Sequence, residues 1–260
     1  ARNYAARLAR GSALCFLDDD VTVPPSYFRT LREKLLRYPD AAAIGGPNLT
    51  PTGSPLFERC VGRLLSSIFG AGRMRRRCIG HEADSWVDDR SLILCNLTLR
   101  SDALRAEGLE FDESLARNEE NLLLAQLANR GRKALHAPQL AVYHERRSTL
   151  KGFCRQCLMS GRGRAEMAAT LPDSFHGSFL LPLLPAFALI LTAATPRLGA
   201  PPAAAYSLMV LANAAWSARR DHSPFAAFAW LCVLFPAAHL SNAAGLALGL
   251  THLFFRGLRA

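Results

Sequence analysis

The sequence predicts an α/β domain followed by membrane-apolar helices. Short apolar runs alternate with amphipathic stretches over the first two thirds of the 260 residues, the pattern of strands packed against helices. From Phe175 onward the chain is mostly apolar and its few charges sit in short clusters. One early apolar run also ends in three aspartates, as a strand ends at a site. The composition shift places the division between an α/β domain, 1–170, and a C-terminal helical region, 171–260.

The elements follow in order. The opening stretch ARNYAARLARG is helix-like and runs into SALCFL, Ser12 to Leu17, read as a buried strand ending at Asp18-Asp19-Asp20. Ser26 is placed to cap a helix over Tyr27 to Arg37, with Phe28, Leu31, Leu35 and Leu36 at helical spacing. Ala41 to Ile44 reads as a strand broken by Gly45-Gly46-Pro47. Phe57 to Phe69 reads as a helix, and the glycine- and arginine-rich stretch from Gly70 to Asp84 as a mobile loop. Trp86 to Asp89 and Leu92 to Leu99 read as strands around a turn. Ser101 to Glu107 is a short helix and Phe111 to Glu113 a turn. Asn118 to Asn129 is a helix with two acids in its first turn, where the helix dipole favours them, and Gly131 stops it. Lys133 to His136 and Leu140 to Tyr143 complete the strands.

Three apolar segments follow. Gly177 to Thr195 approaches the roughly 20 residues a spanning helix needs. Leu198 to Trp216 is a weaker second. Phe225 to Phe255 exceeds one span and contains Pro236, His239 and Asn242, so it is either one kinked helix or a shorter helix with a re-entrant piece.

The net charge of +10 invites a nucleic-acid reading. The arginines argue against it. Those at Arg155 to Arg164, Arg219–Arg220 and Arg256 to Arg259 flank apolar segments, where basic residues anchor a chain to a cytoplasmic leaflet. Base-stacking aromatics are not interleaved with them. Seven cysteines at irregular spacing fit a reducing compartment. The Cys154–Cys157 pair lacks the second ligand pair that a zinc site needs.

The residues able to carry chemistry are mostly acidic. Asp18, Asp19 and Asp20 repel one another unless a cation neutralises them, so the triplet is either a divalent-metal site or a solvated turn before the next helix. Glu119 and Glu120 form a second acidic pair: either holds a general base, or both complement a helix start. The HERR run from His144 to Arg147 and the RQCLMSGRGR run from Arg155 to Arg164 bring cations before the apolar segments. There they stabilise a departing diphosphate, anchor the chain at the membrane, or do both.

Taken together, the motifs resemble family 2 glycosyltransferases of the GT-A fold. ARNYAARLARGSALCFLDDDV is similar to the stretch leading into their metal-binding DxD. LCNLTLRSDAL is similar to their acceptor-side strand and helix, usually written GGNLAFRREVL. EFDESLARNEENLLLAQLANRGRK and the segment through Arg164 resemble the block with their ED pair and Q/RxxRW-like motif. The nearest likeness is to membrane transferases of exopolysaccharide assembly of the succinoglycan type, over about Ala1 to Ala165.

The resemblance implies a Rossmann-like nucleotide-sugar domain, incomplete at its N-terminus, with Mg²⁺ or Mn²⁺ on Asp18 and Asp20. It matches Glu120 to the catalytic base and Glu119 to its neighbour. Arg2, Asn3, Asp19, Arg155 and Gln156 are expected around the nucleotide-sugar donor. The implied reaction is inverting transfer to a lipid-linked or polysaccharide acceptor, by a multi-pass protein of the cytoplasmic membrane whose transferase domain is cytoplasmic. Nucleic acid is not an expected partner. Three departures stand: Glu replaces Asp at 120, Met159-Ser160 replaces the Arg-Trp pair, and the opening nucleotide-binding strand is missing. They leave an alternative, a catalytically impaired membrane scaffold with a decayed or truncated transferase domain. A metal-dependent phosphoesterase is the enzyme rival, but the ligands for two metals are not visible. The expected topology puts Arg219–Arg220 inside after two crossings and Arg197 outside. A third full crossing would carry Arg256 and Arg259 outside, against the positive-inside tendency.

Overall fold

A computed structural model describes residues 1–80, 83–115 and 117–257, with side chains through 254. The elements are α1 (Arg2–Leu8), β1 (Ala13–Leu17), β2 (Val21–Thr22), α2 (Tyr27–Arg37), β3 (Ala41–Gly45), β4 (Asn48–Leu49), α3 (Leu56–Leu65), α4 (Ile68–Ala71), β5 (Ser85–Val87), β6 (Asn96–Arg100), α5 (Ser101–Glu107), α6 (Glu119–Asn129), β7 (Lys133–His136), β8 (Val142–His144), α7 (Leu150–Thr170), α8 (Leu183–Ala194), α9 (Pro196–Ala218) and α10 (Pro224–Gly257). Two compact units form: residues 1–53 with 73–145, and residues 54–72 with 146–260.

In the first unit a five-stranded sheet runs β1-β6-β3-β7-β5, and a small sheet runs β2-β8-β4. Strand β6 pairs antiparallel with both β1 and β3, while β3 and β7 run parallel. The β3 sequence AAAIG is buried throughout, as expected of a strand covered on both faces. The β3–β7 register shifts between Ala41 and Ala43. That bulge sends Ala41 and Ile44 to a core with Tyr27, Leu31, Leu135 and Val142. Ala42 and Ala43 join the other core, with Leu97, Leu99 and the α6 leucines Leu123, Leu124 and Leu127. Helix α6 ends where Gly131 takes φ +74°, a conformation costly for any residue with a Cβ.

Several local expectations are corrected. Strand β1 is an edge strand and only half covered, since it hydrogen-bonds to β6 alone. On α2, Phe28 (58% exposed) and Leu36 (73%) face solvent, and the buried positions are Tyr27, Leu31 and Lys34. The lysine is tolerated there because Nζ donates to Asp84 Oδ2 at 2.6 Å. Ser26 precedes α2 without a side-chain cap. Trp86 to Asp89 and Leu92 to Leu99 do not form a hairpin: β5 pairs with β7, and Leu92 and Leu94 are buried without joining a strand. Gly72–Cys78 forms a 3-10 helix within the expected loop, while residues 81 and 82 lie outside the described ones.

The second unit is helical. Cys60, Val61 and Leu64 of α3, Phe153 of α7, Ala214 and Ala218 of α9, and Leu231, Leu234 and Phe235 of α10 share one core. The turn between α9 and α10 is tied to α3. The fully buried Asp221 carboxylate accepts from Arg59 Nη2 at 2.9 Å and from Arg63 Nε at 3.1 Å. Hydrogen bonds from Arg59 hold its pKa well below the usual carboxylate range. Among the described residues two segments are long and apolar enough to cross a membrane, Gly177–Ala194 and Pro224–Phe254. The expected span at Leu198 to Trp216 is not one of them; α9 carries Pro201, Pro202 and Asn213 among small residues that dilute its apolar character. Helix α10 is one continuous helix despite Pro236. Of the basic cluster at its end, Arg259 lies outside the described residues, as does the Arg256 side chain.

Candidate active site

Strand β1 delivers the three aspartates. A turn follows, with Val21 N donating to Asp18 O at 3.4 Å, and the chain re-enters as β2. Strand β2 pairs antiparallel with β8 so that Val21 stands opposite His144. That register brings His144 Nε2 to 3.2 Å from Asp20 Oδ1. Asp18, Asp20 and His144 thereby each offer one ligand atom, all within 4.8 Å of one another. The two aspartates are exposed and the histidine half-buried. Its Nδ1 is buried and meets no hydrogen-bond partner among the described residues, so Nε2 is the nitrogen presented to the carboxylates. Asp19 is exposed and outside the group. Two hard carboxylate oxygens and one imidazole nitrogen suit a divalent ion, with the nitrogen favouring Mn²⁺ over Mg²⁺.

The second acidic pair splits by environment. Asn118, in the left-handed conformation at φ 65°, starts α6 and sends the two glutamates in different directions. Glu119 pairs with the Arg2 guanidinium of α1. Glu120 is only 7% exposed and has no ion-pair partner among the described residues. Burial pushes its carboxyl above the usual range. Arg77 is the largest charge opposing that rise, and Glu119 adds to it.

Arg77 is held near this carboxyl by a shared turn. Asp88 shapes the turn by accepting from Arg90 N and Ser91 Oγ. Its next carbonyls are then used from two directions. Arg90 O accepts from Arg77 Nε at 2.7 Å, and Asp89 O accepts from Nδ2 of Asn121, the residue after Glu120.

The other expected residues are dispersed. Asn3 is buried, and its amide donates to Phe111 O at 2.8 Å and accepts from Phe111 N at 2.9 Å. With the Arg2–Glu119 pair, this fastens α1 to the segment entering α6. Arg155, exposed, and Gln156, half-buried, lie on α7 in the second unit. Asn96, in the resemblance's acceptor-side strand, is fully buried and spends its amide on Leu140 O (2.6 Å) and Tyr27 OH (2.5 Å).

In the sequence His144 stands with the arginines that follow it. The structure groups it with Asp18 and Asp20, and only the β2–β8 pairing, Val21 opposite His144 and Thr22 opposite Tyr143, reveals this. Arg77 was likewise one arginine in a run of several.

Residues 1–81 match the family model described as Glycosyl transferase family 2, just under a third of the chain. No curated protein matches it. The match includes the strand and aspartates of the site, and it supports glycosyl transfer. The mixed α/β sheets fit a GT-A-like domain, and the possible Asp-Asp-His site fits the divalent metal such transferases use.

Proposed function

We propose that this chain transfers a sugar from a nucleotide-diphosphate donor to a lipid-linked or polysaccharide acceptor, with inversion, at the cytoplasmic face of a membrane. The observation that carries this reading is the convergence of Asp18, Asp20 and His144 at the end of β1. Those three residues would hold Mn²⁺ or Mg²⁺, which when bound offsets the negative charge of the donor diphosphate as it leaves.

Glu120 is the proposed base. It accepts the proton of the acceptor hydroxyl as that oxygen forms its bond to the anomeric carbon. The bond from that carbon to the diphosphate oxygen breaks on the opposite face, and the configuration inverts. A carboxyl raised by burial is better matched to a hydroxyl proton near neutral pH than a solvated one. Glu119 is engaged by the Arg2 guanidinium and is proposed to support the site rather than to act as the base. Arg155 and Gln156 are proposed on the donor side. The two apolar segments support a membrane location.

The test is transfer of labelled nucleotide sugars in membranes containing the full chain, with Mn²⁺, with Mg²⁺ and with a chelator. The reading expects incorporation into a lipid or polymer fraction, product of inverted anomeric configuration, and loss of incorporation on chelation. Retained configuration, or transfer that survives complete chelation, contradicts it.

A further inference from the structure

Helix α10 is too long for a simple span. Its 34 residues extend about 51 Å at 1.5 Å per residue, against a hydrocarbon core of about 30 Å. Each of its two ends is tied to something that resists entering or passing through that core.

The N-terminal end is tied by the Asp221 carboxylate to Arg59 and Arg63 on α3. Helix α3 has ten residues, too few to reach across a bilayer, and the chain enters and leaves its segment from the first unit at residues 53 and 73. The α9–α10 turn therefore lies on the side of the membrane from which the chain enters at residue 53 and leaves at residue 73. Trp216 and Arg219, stacked on one another beside the turn, are the residues expected where a helix meets headgroups.

The C-terminal half is tied to α7. Asn242 Nδ2 donates to Cys157 O at 3.3 Å, and Arg164 Nη1 donates to Asn242 Oδ1 at 3.1 Å. Gly245 and Gly249 allow close approach: a Cβ on either would overlap the α7 backbone at Leu158 or Arg162. The paired positions rise together along both helices, so α7 and α10 run parallel. Helix α7 carries Lys151, Arg155, Arg162, Arg164 and Glu166. Arg162 is neutralised by Glu166 at 2.7 Å, but Lys151 and Arg155 are exposed. If the C-terminal half of α10 crossed the membrane it would draw these charges into hydrocarbon, which strongly opposes insertion. The remaining walls are apolar and exposed, with Leu184, Phe187 and Ile190 on α8 and Phe225, Leu248 and Phe254 on α10. A bundle with one charged wall and the rest apolar fits the boundary between headgroups and acyl chains.

We infer that α10 does not cross the membrane. It lies in one leaflet with both ends on the same side of the membrane, and α7 is the wall that meets the anionic headgroups. The inference rests on the membrane location proposed above. It removes the conflict over Arg256 and Arg259, because a third crossing is not made.

The experiment reads both ends of α10 in the full chain. A His222→Cys substitution in the exposed turn is labelled with a membrane-impermeant maleimide, in intact bacterial cells and in inside-out vesicles, and the labelled peptide is identified by mass spectrometry. A second reporter is joined after residue 260: green fluorescent protein, which matures only inside, or alkaline phosphatase, which is active only outside. The expected result is labelling at position 222 only in inside-out vesicles, a fluorescent fusion and an inactive phosphatase. Labelling of position 222 in intact cells, or an active phosphatase fusion, overturns the inference. Release of the unfused protein by salt or alkaline carbonate without detergent would instead refute the membrane location itself, so the two failures are distinguishable.

Discussion

Adjacent substitutions at Glu119 and Glu120 should have opposite effects on stability and unequal effects on rate. Glu120 is buried without an ion pair among the described residues, and burial raises its pKa. A carboxyl whose folded pKa lies above its unfolded one is favoured by folding in its protonated form. The cost of ionising it grows as pH rises from the unfolded value, about 4.3, through the folded one, and is fully present above that. Glu120→Gln removes the cost while keeping the shape. It should stabilise the fold at pH 7 by on the order of 1 kcal/mol, raising Tm by about 2–5 °C, with the gain vanishing below about pH 4. The same substitution removes the proposed base, so kcat should fall by roughly 10²–10⁴, or about 3–5 kcal/mol of transition-state stabilisation. Glu119→Gln breaks the pair with Arg2, which is half exposed, so it should lower stability by no more than about 1 kcal/mol and reduce kcat less. The assays are scanning fluorimetry in detergent across pH and steady-state kinetics on the full chain, with donor affinity measured separately. A Glu120→Gln protein that is less stable at pH 7, or nearly as active as the parent, refutes the reasoning. If Glu119→Gln is the inactive one, the two roles are exchanged.

Asp221→Ala leaves Arg59 and Arg63 facing a vacated buried position, and should destabilise the helical unit by about 3 kcal/mol, seen as a lower detergent melting temperature. Because the Asp221 pKa is depressed, its contribution is present above the unfolded value near 4 and is lost as pH falls through the folded one; the gap between parent and variant should close in strong acid. Gly245→Ala puts a Cβ into the Leu158 carbonyl, and should cost about 1–3 kcal/mol and raise protease sensitivity between α7 and α10. Arg77→Gln removes the largest cation acting on Glu120, which disfavours the carboxylate; the acid limb of the kcat–pH profile should move to higher pH, and Arg77→Lys should restore it.

Much of the first unit was legible because its signals are local. The α2 and β3 boundaries follow from spacing and from Gly45-Gly46-Pro47, and the α6 stop from Gly131. What failed depended on partners distant in sequence. Leu92 to Leu94 has the apolarity of a strand, yet its two leucines are buried without pairing. Phe28 and Leu36 have helical spacing, yet a lysine–aspartate pair turns α2 toward Tyr27, Leu31 and Lys34 instead. Repulsion alone left the aspartate triplet open between a metal site and a solvated turn, and the histidine that stands beside it was not legible at all. His144 reaches Asp20 only through a two-residue strand pairing, and short pairings leave no periodic trace. Likewise, nothing around Arg59 or Arg63 in sequence points to Asp221, some 160 residues on.

The central claim is that Asp18, Asp20 and His144 together hold a divalent cation for a nucleotide-diphosphate donor. Its most direct measurement is Mn²⁺ binding to the detergent-solubilised chain by electron paramagnetic resonance, with and without a nucleoside diphosphate, for the parent, Asp20→Asn and His144→Ala. The account predicts that the parent binds Mn²⁺ and binds it more tightly with the nucleotide, and that each variant weakens binding by at least about tenfold, or about 1.4 kcal/mol, while its melting temperature stays close to the parent's. Unchanged Mn²⁺ affinity in folded Asp20→Asn and His144→Ala proteins would contradict it.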